Sequence, residues 1–458
     1  MHIFLVNPRA SMGDTFYPHL GLSYLKSYLE DKNPSIQVCI IDLSLVSEKM
    51  LLQQVAEKQP RLVGFSTFST SRFVSLDLAR AVKEISSEAM IVLGGFHASY
   101  LYEQIMENFS WIDFIIRGEG EKTLSELIDC LLSGRSFEGI RGLVFRKEGT
   151  LGINEKRPYI ENLDILPFPY YIPHEVDLLG KRRKAATVIT SRGCSGACKF
   201  CAAPSFWGKP RFRSTRNIME ELTGLVEKHG VEFIYFMDDT FTESPPRVYE
   251  ICQAIEKKKW NLLWRATARI NTLNESILKA MKSAGCVEIA VGIESGSQDI
   301  LGHLGKRVSL EKIEEVAKSM KDLNIQLHAC FIVGSPGESR QTIQETQQLI
   351  RKIRADSFSV SRSLYLFPGT VFNREFLKKR FCSEAEWLDR DVDNIRYLNE
   401  HDEHQLARWQ LALLITCWWA MPFKGKIRYL RNVLTWLKPA QILKGWGCPR
   451  KPRYSEHG

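Results

Sequence analysis

The stretch TSRGCSGACKFCAAP, residues 190–204, decides the interpretation of this chain, because it holds Cys194, Cys198 and Cys201 at the spacing C-x3-C-x2-C. A structural zinc site uses four Cys or His ligands, and this loop supplies three. Disulfide pairing would leave one thiol over. A [4Fe–4S] cluster bound by three thiolates leaves one iron open to a non-protein ligand. The spacing therefore favours an iron–sulfur cluster whose open iron is the functional position.

Outward from this loop, short apolar runs alternate with amphipathic helical patterns. The runs are AATVIT (185–190), VEFIYFM (231–237), LLWRATA (262–268), VEIAVGIE (287–294), QLHACFIV (326–333) and SFSVSRSLY (357–365). The cysteine loop follows the first run directly. Six such units predict an open or partial (β/α)6 barrel, whose ligands bind at the carboxyl ends of the strands.

These residues resemble the radical S-adenosylmethionine (SAM) superfamily, whose signature is C-x3-C-x-Φ-C with an aromatic residue at Φ. Phe200 occupies that place, and the resemblance covers about residues 185–370. It implies that the three cysteines hold a [4Fe–4S] cluster and that SAM binds the open iron beside Phe200. Cleavage of SAM would then release a 5′-deoxyadenosyl radical. The resemblance also implies an external electron donor such as a flavodoxin or ferredoxin.

The resemblance places further SAM-binding residues at the ends of the later strands. Asp238 or Asp239 would accept hydrogen bonds from the methionine ammonium, and Arg269 would pair with the methionine carboxylate. Glu294 would bind the ribose hydroxyls, and Gly334 would let the backbone approach the adenine. Structural alternatives exist for each: a helix cap for the aspartates, an ion pair for Arg269 and for Glu294, and a strand-to-helix turn for Gly334.

The N-terminal part shows a second alternation of strands and helices. Its apolar runs are IFLV (3–6), VCII (38–41), LVGFS (62–66), IVLGG (91–95) and FIIRG (114–118). Continuous apolar strands separated by helices predict a doubly wound, Rossmann-like parallel sheet. No G-x-G-x-x-G follows the first strand, which disfavours binding of a nicotinamide dinucleotide.

Small and polar residues at the ends of these strands indicate a binding crevice. In order, PHLGLSYLKSYL, GGFHAS, IIRGEGEKTL and LPFPYY are similar to segments of the cobalamin-dependent radical SAM family. The resemblance implies that cobalamin binds at Ser66, Thr67, Gly94, Gly95, His97 and Gly118. The D-x-H-x-x-G motif, which supplies a histidine ligand to cobalt in many cobalamin enzymes, is missing here. His19 lies nearby at the wrong spacing, so we expect base-off cobalamin without a protein histidine.

The expected organisation has four parts. These are a cobalamin-binding domain (1–145), a hairpin and linker (146–184), the radical SAM barrel (185–375) and a Trp-rich, basic helical region (376–458). Residues 424–458 carry nine Lys or Arg and one Glu, so the rest of the chain contributes only +1 to the net charge of +9. A nucleic-acid partner is therefore not indicated. The C-terminal region is interpreted as a cap over the barrel mouth, as an anchor at the inner face of a membrane, or as a core-packed helix pair.

Eleven cysteines without a signal peptide indicate a reducing cytoplasm. Together the two resemblances predict an enzyme that modifies an unactivated carbon, by C-methylation of a small hydrophobic molecule such as a lipid, isoprenoid or tetrapyrrole. Alternatives are a cobalamin-dependent cyclase or rearrangement enzyme, a methylthiotransferase and a non-enzymatic sensor. The methylthiotransferase is disfavoured, because the N-terminal part has only Cys39 and Cys130 where a second cluster needs three cysteines.

Overall fold

The computed structural model describes residues 1–8, 19–147, 149–178, 181–380, 387–388, 390, 396–398, 400–423 and 425–427. Within these residues the strands form two seven-stranded sheets and one two-stranded ribbon. The basic tail beyond residue 427, with Cys448, and also Cys382 lie outside the described residues. No helix among those that are described combines the length and apolarity needed to cross a bilayer.

The first sheet belongs to the N-terminal unit. Its strands are β1 (His2–Asn7), β2 (Gln37–Asp42), β3 (Leu62–Ser66), β4 (Met90–Gly94), β5 (Phe114–Ile116), β6 (Leu143–Lys147) and β7 (Thr150–Ile153). The order is β2-β1-β3-β4-β5-β6-β7, and the first five strands are parallel while β6 and β7 form an antiparallel hairpin. The predicted parallel sheet and hairpin are confirmed.

Helices cover both faces of this sheet. They are α1 (Leu20–Lys32), α2 (Glu48–Lys58), α3 (Arg72–Ile85), α4 (Phe96–Tyr100), α5 (Tyr102–Asn108) and α6 (Gly120–Ser133). In β1, Ile3 and Leu5 pack with the side chains of α1 and α6, whereas Phe4 and Val6 pack with those of α2 and α3. This two-residue period buries both faces and makes the unit doubly wound. The strand order reverses between β1 and β3, where ligands of such sheets bind.

The second sheet forms the curled half-barrel. Its strands are β8 (His174–Leu178), β9 (Lys181–Val188), β12 (Phe233–Phe236), β13 (Leu263–Ala268), β14 (Cys286–Glu294), β15 (Gln326–Ile332) and β16 (Ser357–Ser361); β10 (Ser191–Arg192) and β11 (Arg211–Phe212) form the separate ribbon. From β9 to β16 the strands are parallel and follow chain order, as predicted. The expectation that 174–178 is linker is wrong, because β8 pairs with β9 in antiparallel fashion as an edge strand.

The remaining helices pack mainly on the outside of the half-barrel. They are α7 (Ala203–Trp207), α8 (Thr215–Thr223), α9 (Pro245–Lys257), α10 (Glu275–Ser283), α11 (Gln298–His303), α12 (Leu310–Asp322), α13 (Arg340–Ile353), α14 (Val371–Arg380) and α15 (Glu403–Ala420). Helix α15 lies against α13 and β16: Gln347 Nε2 donates to Thr416 Oγ1 at 3.0 Å, and Gln410 Nε2 donates to the carbonyl of Val360 at 2.8 Å. The interpretation as a core-packed helix therefore holds for one face of α15.

Candidate active site

The cysteine loop begins where β9 ends, and hydrogen bonds to neighbouring elements hold it. Gly193 adopts φ +96°, which lets the chain turn between the β10–β11 ribbon and Trp207. Cys194 Sγ lies 3.3 Å from Thr240 Oγ1 and accepts a hydrogen bond from Gly196 N–H at 3.3 Å. The Lys199 N–H donates to the carbonyl at the end of α11 at 3.0 Å. The three thiols are thus presented on a well-anchored loop at the mouth of the half-barrel.

The surroundings of the thiols suit a cluster. Burial raises the pKa of Cys201 to about 11 and raises that of Cys198, but Lys306 and Arg269 act in the opposite direction on Cys198. Among the described residues, no three His, Cys, Asp or Glu side chains converge on a single metal ion. In a [4Fe–4S] cluster each thiolate binds a different iron atom, so the cluster's protein ligands lie further apart than the ligands of a single metal ion. Three clustered thiols with two nearby cations fit that group.

The two neighbouring aspartates after β12 have different environments. Asp238 is buried, and its carboxylate accepts hydrogen bonds from Thr190 N–H at 2.8 Å and Ser191 Oγ at 2.7 Å, in addition to the Thr190 hydroxyl and the Ser191 N–H. Asp239 accepts one hydrogen bond, from Gly193 N–H at 3.0 Å, and opens into a cavity. Partial removal from water raises the pKa of Asp239. Of the two candidates, Asp239 has oxygen atoms left for a ligand, and Asp238 ties the cysteine loop to β12.

Two further SAM candidates are paired with charged groups. Glu294 has φ +70° and lies 2.9 Å from Lys306 Nζ, which also donates to the carbonyl of Gly292 at 2.5 Å. Arg269 Nη1 lies 3.9 Å from Glu243 Oε2 and donates a hydrogen bond to Ser195 Oγ of the cysteine loop at 3.2 Å. Both side chains therefore lie beside the cluster loop, and each already has the ion-pair or hydrogen-bond partner that the structural alternative predicts.

The last two SAM candidates contact protein. Phe200 packs against the apolar group formed by α11, α14 and the segment before α14. Gly334 adopts φ +81°, and a Cβ there would lie 3.0 Å from Leu406 Cδ2 of α15. Its N–H donates to the carboxylate of Glu338, and burial raises the pKa of Glu338 to about 7. The glycine therefore makes room for the C-terminal helix, which favours the turn alternative.

A cavity of about 280 Å³ lies between the two units. Its walls include four of the expected cobalamin residues, namely Ser66, Gly94, Gly95 and Gly118. A Cβ added at Gly94 or Gly118 would meet no atom within 4 Å, so both glycines leave space at the strand ends. Aromatic side chains of both units also line it, namely Phe68 and Phe96 of the N-terminal unit and Phe206 and Trp207 of the second unit. Open space at the glycines beside apolar rings fits part of a large flat cofactor such as cobalamin.

Two of the expected cobalamin residues do not line this cavity. Thr67 is fully buried below it, and its hydroxyl has no hydrogen-bond partner among the described atoms. His97 points into the core, where Nδ1 lies 3.1 Å from Ser69 Oγ and the ring meets Trp387 edge-on. Burial lowers the pKa of His97 to about 3. His97 is therefore buried away from this cavity, and its contact with cobalamin stays a prediction.

His19 lies at the cavity, where both of its ring nitrogens are occupied. It caps α1 by accepting a hydrogen bond from Leu22 N–H on Nδ1 at 3.2 Å. With Nδ1 as acceptor, the proton lies on Nε2, which donates to Ser66 Oγ at 2.9 Å. Desolvation lowers the pKa of His19. Both ring nitrogens of His19 are therefore engaged within the protein, and base-off binding of cobalamin stays a prediction.

Sequence reasoning missed a buried ion-pair network between the two units. Glu119, just after β5, lies 2.5 Å from Arg192 Nη1 and 2.9 Å from Arg211 Nη1, and Arg192 Nη2 lies 2.6 Å from Glu121. Burial acts to lower the pKa of Arg192, but the two glutamates outweigh it and raise that pKa. We name Glu119, Glu121, Arg192 and Arg211 the interdomain clamp. Its ion-paired partners are 71 to 92 residues apart, so local sequence patterns do not reveal them.

Comparison with known proteins agrees with both expected domains. Residues 188–350 match the model of the radical SAM superfamily, and residues 13–128 match that of the B12 binding domain. A protein of Pyrococcus horikoshii, named as an uncharacterized methyltransferase, is 33% identical over 405 residues, which is 85% of each chain. This chain belongs to the cobalamin-dependent radical SAM family. The cofactors of this radical SAM enzyme are a [4Fe–4S] cluster, SAM and cobalamin.

Two further relatives have different activities, one a cyclase and one a methyltransferase. The anaerobic magnesium-protoporphyrin IX monomethyl ester cyclase of Rubrivivax gelatinosus is 26% identical over 375 residues, covering 78% of this chain and 66% of that protein. The radical SAM methyltransferase TsrM of Kitasatospora setae, solved with cobalamin and a [4Fe–4S] cluster, superposes with a TM-score of 0.71. That alignment covers 90% of each chain at 20% identity, so it supports the fold.

Proposed function

We propose that this radical SAM enzyme methylates an unactivated carbon of a small hydrophobic molecule. The observation that carries the proposal is the shared cavity: Gly94 and Gly118 of the cobalamin unit line it together with Asp239 and Arg192 of the cluster unit. A substrate held there would lie between the cobalamin unit and residues next to the cysteine loop. The Pyrococcus horikoshii relative, which is 33% identical to this chain, is named an uncharacterized methyltransferase.

The chain's own residues bind, orient and exclude water. When bound, the cluster and SAM supply a radical that removes a hydrogen atom, and cobalamin supplies a methyl group. Asp239 accepts hydrogen bonds from the methionine ammonium, and Arg269 binds the carboxylate. The aromatic wall of Phe96, Phe206 and Trp207 keeps water from the reacting carbon. The main contribution of the protein is to align SAM, cobalamin and the substrate with one another.

The proposed stoichiometry uses two SAM molecules for each methyl group. One yields methionine and 5′-deoxyadenosine, which carries the hydrogen from the substrate. The other gives its methyl group and leaves as S-adenosylhomocysteine. A flavodoxin or ferredoxin supplies the electrons. We propose a lipid, isoprenoid or tetrapyrrole as the substrate class, in line with the apolar cavity wall, and a cytoplasmic location with contact at the inner face of the membrane.

To test this proposal, anaerobically reconstituted enzyme is incubated with methyl-labelled SAM and candidate substrates. We expect label in the product, with equal amounts of 5′-deoxyadenosine and S-adenosylhomocysteine. The Cys198→Ala variant serves as control and forms none of the three. Product that contains no label, formed without S-adenosylhomocysteine, would instead support a cyclase or rearrangement, which the similarity to the Rubrivivax gelatinosus cyclase favours as the second candidate.

A further inference from the structure

An exposed apolar stripe runs along the C-terminal helix. Leu411, Ile415 and Trp419 lie on one face of α15 at i, i+4 and i+8, and each is at least half exposed. Phe423 and Ile427, in the segment after the helix, continue the spacing. Trp419 is 72% exposed and Phe423 is 77% exposed. We refer to these five residues as the apolar stripe.

The apolar stripe is not part of the packing of α15 on the barrel. The opposite face supplies that packing through Leu406, Leu413 and Cys417, which are buried in the barrel core. Of the sixteen exposed large apolar side chains in the described part of the chain, five fall within the seventeen residues 411–427. Single exposed apolar residues are ordinary, but such a concentration marks an interaction surface.

The positive charge of the sequence in and after the stripe favours a negatively charged partner. Residues 411–427 contain no Asp or Glu, and residues 424–458 carry nine Lys or Arg against one Glu. Lys426 Nζ lies 5.6 Å from the Trp419 ring and 6.0 Å from the Trp418 ring. Two copies of such a basic region would repel each other, which disfavours a homodimer through this face. An anionic lipid surface attracts the lysines and accepts tryptophan at its interface.

We propose that the apolar stripe and Lys426 dock α15 on a bilayer that contains anionic lipid, with the helix axis in the plane of the interface. The inference rests on the proposed membrane contact of the enzyme and assigns a surface to it. The stripe residues enter the boundary between headgroups and acyl chains, and Lys426 remains at the headgroups. A lipid-soluble substrate would then be met at the surface where it is dissolved.

The test measures co-sedimentation of the full-length holoenzyme with phosphatidylglycerol vesicles and with phosphatidylcholine vesicles. The double variant Trp419→Ser/Phe423→Ser removes two stripe side chains. We expect its partition onto phosphatidylglycerol vesicles to fall at least ~10-fold. The matched control Leu45→Ser/Ile165→Ser removes two exposed apolar side chains elsewhere and should bind as the unchanged protein does. Lys426→Glu should weaken binding, and added salt should weaken it further.

Cluster absorbance and 5′-deoxyadenosine formation report whether each variant is folded. Equal vesicle binding by the double variant and the unchanged enzyme would overturn the inference, as would a failure of the unchanged enzyme to bind phosphatidylglycerol. A dimer that the double substitution dissociates, with vesicle binding unaltered, would assign the stripe to a second copy instead. Methyl transfer is read separately: vesicle binding without labelled product contradicts the proposed methylation, and labelled product without vesicle binding contradicts only the docking surface.

Discussion

At the residue scale, two adjacent carboxylates have separate tasks because their hydrogen-bond partners differ. Asp238 is enclosed by donors from Thr190 and Ser191, so its charge stabilises the start of the cysteine loop. Asp239 holds one backbone N–H of that loop and presents its remaining oxygen lone pairs to the cavity. Neighbouring positions in the sequence thus divide into one carboxylate whose oxygens are occupied by protein donors and one with oxygen atoms left for a ligand.

The pair gives a matched test. Asp239→Asn removes the charge that receives the SAM ammonium, so we expect SAM affinity to fall about tenfold with cluster content and thermal stability retained. Asp238→Asn points an amide donor at N–H and hydroxyl donors, so we expect it to lose about 2–3 kcal/mol of unfolding free energy. SAM titration and thermal melts of both variants check this. Similar losses of affinity and stability in the two variants would contradict the division.

Glu338 makes stability depend on pH. Burial raises its pKa to about 7, above its ordinary value, so the folded protein holds a proton that the unfolded chain has released. This contribution to stability is present at low pH and is lost as the pH rises through the folded-state pKa. Glu338→Gln mimics the protonated form. Between about pH 5 and pH 7 we expect the unfolding free energy of the unchanged protein to fall more steeply with pH than that of Glu338→Gln. The difference in slope should reach up to about 1 kcal/mol per pH unit. Parallel curves for the two proteins would refute the assignment.

At the element scale, the ends of β4 and β5 form the cofactor cradle. Gly94 ends β4 with room for a larger side chain, and Gly118 follows β5 with φ +79°. Neither glycine has a side chain that would fill the cavity, and Ile116 at the end of β5 forms part of the wall. The cavity is therefore open at this edge of the sheet because the residues at the strand ends, Gly94 and Gly118, have no side chains.

Filling the cradle should remove cobalamin selectively. Gly94→Leu places a side chain in the cavity without backbone strain, so we expect at least ~tenfold weaker cobalamin binding with the iron–sulfur cluster unaffected. Gly224→Leu is the matched control, because a Cβ there also meets no atom within 4 Å and the residue is not in the cavity wall. Absorbance spectroscopy separates the two cofactors. Full cobalamin binding by Gly94→Leu would place the cofactor elsewhere.

At the scale of the whole molecule, the interdomain clamp joins the cobalamin unit to the loop that carries the cluster. Arg192 lies two residues before Cys194, so its pairing with Glu119 relates the position of the cysteines to the end of β5. The cavity lies between these elements and depends on both. We therefore regard the clamp as a positioning device for the two cofactors.

Removing the charge of Glu119 should loosen the two units. Glu119→Gln leaves Arg192 and Arg211 buried with one carboxylate fewer, so we expect a loss of about 3 kcal/mol and a separate, earlier unfolding step of one unit. Glu126→Gln, which weakens the half-exposed pair with Arg157, should cost less than about 1 kcal/mol. Calorimetry and limited proteolysis compare the variants. A single unshifted transition for Glu119→Gln would show that the clamp does not join the units.

The architecture and the position of the three cysteines could be predicted from the residues alone. The cluster cysteines lie within one loop, and the apolar runs of each sheet carry their period locally, so neither needs a knowledge of distant contacts. Other features required the folded chain. These are the openness of Asp239 rather than Asp238, the burial of His97 in the core, and the pairing of Glu119 with Arg192 across 73 residues of sequence. The exposed apolar face of α15 belongs to the same group. Burial, hydrogen-bond saturation and exposure all depend on neighbours that are distant in sequence and meet only on folding.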